Sequence, residues 1–185
     1  MMSDPMTTPD DVLRFWFEEL DEEDWFNSSP ELDAECARRF AATHLAQSRR
    51  LDPRWQADPQ SRLAAVLLFD QLPRNIYRGS PLAFATDGLA RREARLALDV
   101  AADQAVGRTE RAFFYLPFEH AETVEDQALS VRLFAALGDA KLLDYAERHA
   151  VIVRRFGRFP HRNAILGRET TAEERVFLLE PGSSF

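Results

Sequence analysis

Apolar residues recur along most of the chain with the three- to four-residue spacing of an α-helix. Leu32, Cys36, Phe40 and Thr43 form one such stripe, with charged residues between them. The most apolar stretch is 60–72, which we predict to be the central helix. The β-branched residues never alternate over the length of a strand, so no strand pair is expected. The pattern therefore predicts an all-α fold.

Local signals mark the helix boundaries. A capping residue followed by proline at the first helical position occurs at Thr8-Pro9, Ser29-Pro30, Asp58-Pro59 and Ser80-Pro81. Thr123 and Thr171 are predicted to cap later helices, the last of which would end near Leu179. We also predict one long helix over 81–105, and we expect Pro117 to end or kink the helix before it.

These boundaries give about eight helices with short connections, so consecutive helices should pack as antiparallel hairpins. A chain of 185 residues can bury one substantial core. We predict a single all-helical domain over residues 1–185, with its core at about 9–180 and short flexible tails at 1–7 and 181–185. No clean repeat with a period of about 34 residues is visible.

Charge and composition narrow the class of protein. The net charge of -8 argues against nucleic acid as a partner, because phosphate binding needs a basic face. No apolar run reaches the length of a membrane span. The acidic N-terminus lacks the features of a secretory signal, so a cytoplasmic location is expected. Cys36 is the only cysteine and is interpreted as a small buried hydrophobic residue.

The charges are unevenly distributed. Residues 1–35 contain twelve acids and one base, whereas residues 139–168 contain seven bases and three acids. All but one of the 23 basic residues are arginine, whose planar donor fork suits carboxylate or phosphate. The basic stretch therefore fits either a site for a small anion or a set of internal ion pairs.

Three polar clusters contain the candidate site residues. The first follows the central helix, and the second follows Pro117. The third is the stretch 149–168, where glycines and a proline turn the chain. The catalytic candidates are Asp70, Glu122, His120, His149 and His161. The ligand-binding candidates are Arg74, Asn75, Arg158, Arg162 and Asn163.

Two interpretations of these residues remain open. They could converge on one pocket, with histidines as acid–base groups and arginines as anion clamps. Alternatively, they satisfy backbone groups at helix ends and lock loops together. No metal site is predicted, since no ligand spacing joins the candidates. The fingerprints of nucleophile-elbow hydrolases, P-loop enzymes and dinucleotide-binding folds are all absent, and no cofactor is indicated.

Several segments resemble a bacterial family known as domain of unknown function 924. They are FWFEEL, the Trp25-Phe26 pair, LLFDQLPRNIYRGSPLAFATD, FFYLPFEHAE and RFGRFPHRNAILGRETTAEE, in the expected order over about residues 11–180. The resemblance implies a tetratricopeptide-like all-helical fold with no established activity or catalytic residue. Ala121 departs from the pattern, because similar proteins often have serine there.

Two functions from different classes follow as expectations. One is a tetratricopeptide-like module that binds a peptide or partner protein in a groove, possible members of which are Trp25, Phe26 and Trp55. The other is an enzyme or binding protein that holds a small anion with the Arg, His, Asp and Asn candidates. The sequence does not decide whether the protein is an enzyme, and it gives no oligomeric state.

Overall fold

The computed structural model describes residues 6–27 and 29–184. Within these residues the regular structure is helical and no strand occurs, which confirms the predicted all-α fold. The predicted tails at 1–7 and 181–185 lie partly outside the described residues. Across the described part of the chain, no helix has both the length and the apolar character needed to cross a membrane.

The α-helices have the following bounds: α1 Pro9–Arg14, α2 Glu22–Phe26, α3 Pro30–Arg49, α4 Pro59–Asp70, α5 Leu72–Ile76, α6 Asp87–Asp99, α7 Arg108–Glu119, α8 Val124–Leu137, α9 Ala140–Phe156 and α10 Ala172–Phe177. A π-helical turn, Phe15–Glu19, follows α1 directly. Short 3-10 turns occur at Pro53–Gln56, Pro81–Phe84, Ala102–Ala105 and Pro160–Arg162.

The chain forms two compact units. The first contains the described residues up to Arg78 together with Leu82–Pro117. The second contains Gly79–Pro81 and the described residues from Phe118 onward. The prediction of one domain stays a prediction.

In the first unit, α4 is central, as the sequence predicts. Every residue from Leu63 to Asp70 is buried. The helix packs against α1, α6 and the 3-10 turn at Pro53–Gln56, while α3 packs against α5. Large side chains such as Trp16, Phe40 and Phe69 are fully or almost fully buried in this core.

Three of the four predicted proline-led helix starts are confirmed, since Thr8, Ser29 and Asp58 each accept a hydrogen bond from a backbone N–H of the first turn.

The prediction of a long helix over 81–105 is wrong. Ser80-Pro81 leads only into a 3-10 turn, and α6 begins at Asp87. The Thr86 hydroxyl donates to the backbone oxygen of Phe69 at 2.8 Å, which fixes the chain just before α6. Ala101 then adopts φ 55°, a left-handed conformation that no α-helix can continue through.

The second unit is organised around α8 and α9, which pack as an antiparallel hairpin. Gly138 ends α8 with φ 74°, and the Asp139 side chain caps α9. Thr123 and Thr171 cap α8 and α10 as predicted, although α10 ends at Phe177 rather than near Leu179. Pro117 lies inside α7, which continues to Glu119. The proline therefore does not end the helix where it stands.

Candidate functional site

The stretch that follows α9 turns on one glycine. Gly157 ends the helix with φ 71°, a conformation that favours glycine. Phe159 and Pro160 are buried and anchor the turn to the second unit. Arg162 and Asn163, which follow, are also buried, whereas Arg158 and His161 are half-buried.

The structure brings His149 next to Glu119 and His120. The Nδ1 atom of His149 lies 2.8 Å from the backbone oxygen of Tyr145 and 3.5 Å from Oε1 of Glu119. Because a carbonyl oxygen only accepts, Nδ1 must carry the proton, and Nε2 is the acceptor of the neutral ring. The rings of His120 and His149 are 6.4 Å apart. His149 is itself buried.

His149 and His161 are both neutral at pH 7. Burial lowers the pKa of His149 to about 3, and the positive potential of His120 and Arg162 adds to the effect. Burial likewise lowers the pKa of His161 to about 4, with Arg162 contributing. A general base works best when its pKa is close to the working pH, so both rings are weak bases for neutral-pH catalysis.

Two arginines near the turn after α9 are bound to carboxylates, namely the candidate Arg158 and Arg168, which was not among the candidates. Arg158 donates to both oxygens of Glu174, from Nε at 2.7 Å and from Nη2 at 2.8 Å. Arg168 donates to both oxygens of Glu122, from Nη1 at 2.6 Å and from Nη2 at 3.0 Å. These are two-point ion pairs, the strongest geometry available to arginine. A small anion would have to compete with a carboxylate at each position.

Asn163 joins the two pairs. Its amide nitrogen donates to Oε2 of Glu174 at 3.2 Å, and its oxygen accepts from Nε of Arg168 at 2.9 Å. We call the five residues Glu122, Arg158, Asn163, Arg168 and Glu174 the clamp network. The network links the start of the second unit to the segment between α9 and α10.

Both carboxylates of the clamp network are held ionised. Burial raises the pKa of Glu122, but hydrogen bonds from Arg168 and from the Phe159 N–H outweigh it, so the net pKa is lowered. The hydrogen bond from Arg158 lowers the pKa of Glu174 to about 2. Glu174 also closes a capping box with Thr171, accepting the Thr171 N–H at 2.8 Å.

The guanidinium of Arg162 contacts a backbone oxygen and an aromatic ring instead of forming a two-point carboxylate pair. Its Nη1 donates to the backbone oxygen of His120 at 3.1 Å, and its guanidinium lies 4.6 Å from the ring centre of Phe159. Gln127 also holds this region, with its amide nitrogen donating to the backbone oxygens of Glu119 and Ala121 at 2.6 and 2.8 Å. The Gln127 Oε1 and the Ser130 hydroxyl are buried and have no hydrogen-bond partner within the described part of the chain. Ser130 lies in an ordinary helical pattern, and nothing in the sequence marked it.

Asp70, Arg74 and Asn75 belong to the first unit. Asp70 is fully buried, and Nη1 of Arg74 lies 3.5 Å from its Oδ1. Arg74 also donates to both oxygens of Asp87, at 3.0 and 3.2 Å. Asn75 donates to Oδ1 of Asp33 at 2.9 Å. All these contacts lie within the first unit, and convergence with the histidines on one pocket stays a prediction.

His44 is buried and contacts residues distant in sequence. Its position among polar and apolar helix residues predicts a surface or boundary location, yet it is only 5% exposed. Its ring nitrogens lie 3.2 Å from the Tyr77 hydroxyl and 3.1 Å from the Thr86 hydroxyl. That prediction is therefore wrong. Both partners are distant in sequence, so helical periodicity could not reveal them.

Metal-binding groups are sparse. Over residues 6–27 and 29–184, no group of three or more His, Cys, Asp or Glu side chains is arranged to hold a metal ion. Cys36 is fully buried, and burial raises the pKa of its thiol to about 12. This thiol is protonated and unreactive at neutral pH.

Residues 17–26 of the first unit form a second candidate site, which we call the acidic aromatic surface. Six of its ten residues are Asp or Glu, and none is basic. Phe26 is 56% exposed, and the half-buried Trp25 lies between it and the ring of Phe17. Trp25 is fixed by its Nε1 donating to the Trp16 backbone oxygen at 2.7 Å and by its edge contact with Phe113. The surface is therefore anchored at Trp25, apolar at one end and strongly negative.

Comparison with known proteins identifies the family. The family model for bacterial proteins of unknown function DUF924 matches residues 12–182. A solved structure of a protein of unknown function from Agrobacterium tumefaciens is 44% identical and superimposes with a TM-score of 0.88, covering 92% of this chain and 96% of that one. Among curated proteins, no significant match was found. The chain belongs to the DUF924 family of bacterial proteins of unknown function.

Proposed function

We propose that the protein is a helical interaction module that binds a basic peptide segment of a partner protein on the acidic aromatic surface. The exposed Phe26, next to the anchored Trp25 in a segment with six carboxylates, is the observation that carries the proposal. Aromatic residues on an exposed, fixed surface are typical centres of protein interfaces. A tetratricopeptide-like role as an interaction module is part of the same proposal.

Charge determines the class of partner. Of the six carboxylates, Glu19 is paired with Arg39 at 2.5 Å, and Asp21 and Asp24 cap α2. All six are exposed to solvent. Such a field attracts and orients a cationic segment, whereas an acidic partner would be repelled. A segment with arginine or lysine next to an apolar residue would complement both ends of the surface.

The geometry of the second unit favours the peptide-binding proposal over acid–base catalysis. His149 and His161 are poorly matched to acid–base work at neutral pH, because burial lowers the pKa of both. The alternative function, binding of a small anion by Arg74, Arg158 and Arg162, ranks second. Arg74 and Arg158 already bind carboxylates, and Arg162 binds a backbone oxygen. A cytoplasmic location remains a prediction.

Fluorescence anisotropy with a labelled peptide rich in Arg and Leu tests the proposal. Phe26→Ala should weaken binding about tenfold, because one buried aromatic side chain typically contributes more than 1 kcal/mol to an interface. Leu82→Ala is the matched control, since Leu82 is 54% exposed in the same unit and outside the surface. Equal affinities for the two variants, or no binding by the wild type, would rule out the surface.

A charge variant separates attraction from packing. Glu22→Gln combined with Glu23→Gln should slow association and reduce the dependence of affinity on salt. The control is Asp144→Asn combined with Glu147→Gln on α9, two exposed acids of the second unit. If both pairs have the same effect, only the net charge attracts the peptide, and the proposal fails.

A further inference from the structure

The first unit contains an arginine-lined cleft that the proposed function does not use. Its volume is about 400 Å³, within the range of small-molecule sites. The C-terminal end of α3, the segment after it and part of α6 form its walls, which include Arg49, Arg50 and Arg92. No lining residue is acidic. A concentrated positive site in a chain of net charge -8 requires an explanation.

The arginines of the cleft differ from those of the clamp network. Arg49 and Arg50 are exposed, and neither has an ion-pair partner among the described residues. Arg92 donates from Nε and Nη2 to Oε1 of Glu93, at 3.0 and 2.8 Å, and its side chain is still 57% exposed. Two guanidinium groups therefore have no carboxylate partner in the part of the chain that the structure describes, and a third lies next to them.

Hydrogen bonds hold the walls of the cleft in place. Oε1 of Gln47 accepts the backbone N–H of Asp52 at 2.8 Å, which fixes the chain where it leaves α3. Gln56 donates to Oε2 of Glu93 at 2.5 Å, which joins the 3-10 turn at Pro53–Gln56 to α6. Glu93 is only 1% exposed, so the hydrogen bond between the 3-10 turn and α6 is largely shielded from solvent. A cleft with fixed walls pays less ordering entropy when a ligand binds.

We propose that this cleft binds a small molecule that carries a phosphate or diphosphate group. Guanidinium groups bind phosphate oxygens in two-point hydrogen bonds, and several of them match a group with more than one negative charge. The cleft has more space than one phosphate fills, and the half-buried Leu51 and Leu89 offer apolar contact for the rest of the molecule. A phosphorylated small molecule fits these features better than a monocarboxylate.

Isothermal titration calorimetry with pyrophosphate tests the site. The wild type should bind with a Kd at or below about 1 mM. Arg49→Gln combined with Arg50→Gln should weaken binding at least tenfold. Arg49→Lys combined with Arg50→Lys should lose a smaller part of the affinity, because charge is kept while the planar donor fork is lost. Orthophosphate and glucose 6-phosphate, titrated in parallel, distinguish a free phosphate from a phosphorylated molecule by which binds more tightly.

The matched control is Arg132→Gln combined with Arg154→Gln, two exposed arginines of the second unit. These substitutions change the net charge equally and should leave pyrophosphate binding unchanged. No binding by the wild type, or equal losses in the two double-glutamine variants, would overturn the proposal. Circular dichroism confirms that the variants are folded. No substitution touches residues 17–26, so the outcome is independent of the peptide-binding proposal.

Discussion

Arg168 and Glu122 are 46 residues apart in sequence and form a two-point ion pair, with nitrogen–oxygen distances of 2.6 and 3.0 Å. Glu122 also accepts the backbone N–H of Phe159 at 2.7 Å, and Arg168 donates to the backbone oxygen of the same residue at 2.9 Å. One ion pair thus satisfies both backbone groups of the buried Phe159. Its geometry makes these side chains supports of the turn after α9.

Replacing Glu122 with alanine should therefore cost about 2 kcal/mol of unfolding free energy, because it leaves a cation and a backbone donor without their acceptor. The side chains of Arg168 and Glu122 are only 23% and 26% exposed. The control Glu173→Ala breaks the more exposed pair with Arg155 and should cost about 0.5 kcal/mol or less. Urea denaturation measures both. Equal costs would contradict the supporting role of Glu122.

Arg74 should be still more important to stability. Its removal takes away the cation that the fully buried Asp70 and the largely buried Asp87 share, at a cost of about 3–5 kcal/mol. Arg78→Ala, which breaks a more exposed pair with Asp33, should cost about 1 kcal/mol or less. Adding Asp70→Asn to Arg74→Ala should recover part of the loss. Absence of any recovery would show that packing, not charge, explains the cost.

Stability should fall as the pH decreases from about 6.5 to about 5. Burial lowers the pKa of His44, His149 and His161 in the folded state, whereas each titrates near 6.5 when unfolded. Acid therefore adds protons to the unfolded state first, which favours unfolding. Each such histidine contributes a slope of up to about 1.4 kcal/mol per pH unit. The carboxylates whose pKa is lowered act only below about pH 4.5, outside this window.

The variant His149→Gln measures the contribution of His149 to the pH dependence of the unfolding free energy. Between pH 6.5 and 5 the variant should lose about 1.5 kcal/mol less than the wild type, since it has no imidazole to protonate on unfolding. Urea denaturation at several pH values provides the curves. Parallel curves for the variant and the wild type would mean that His149 has the same pKa in the folded and the unfolded protein, which would contradict the effect of its burial.

Cys36 should resist alkylation in the native state. It is fully buried, and burial raises the pKa of its thiol to about 12, with Asp33 and Glu35 contributing. At pH 8, iodoacetamide should label it only at the rate at which the protein unfolds, and denaturant should make labelling fast. Mass spectrometry measures the rate. Fast labelling of the folded protein would contradict its burial.

Local signals predicted much of the fold. Thr8, Ser29, Asp58 and Thr123 cap helices because each cap depends only on the next three residues. The start of α6 at Asp87 and its end at Asp99 could not be predicted this way. The start depends on the Thr86 contact with Phe69, 17 residues away, and the end is followed by the left-handed backbone of Ala101.

In the candidate sites, too, contacts between residues close in sequence were predictable and contacts between distant residues were not. The pairing of Asp70 with Arg74 is one helical turn long and was predictable from spacing. The partners of Arg158 and Arg168 lie 16 and 46 residues away, so the sequence identified Arg158 and Glu122 as candidates but not the residues that pair with them. The arginine-lined cleft was not predicted, because α3 and α6 form it from segments about 40 residues apart.

The location of the peptide-binding surface is tested most directly by amide chemical-shift mapping of ¹⁵N-labelled protein titrated with the basic peptide. The proposal predicts that the perturbed amides cluster in residues 17–26 and in their contact neighbour Phe113. Perturbations concentrated at residues 119–122 and 157–171 would contradict it. They would show that the histidines and the clamp network, rather than the acidic aromatic surface, form the binding site.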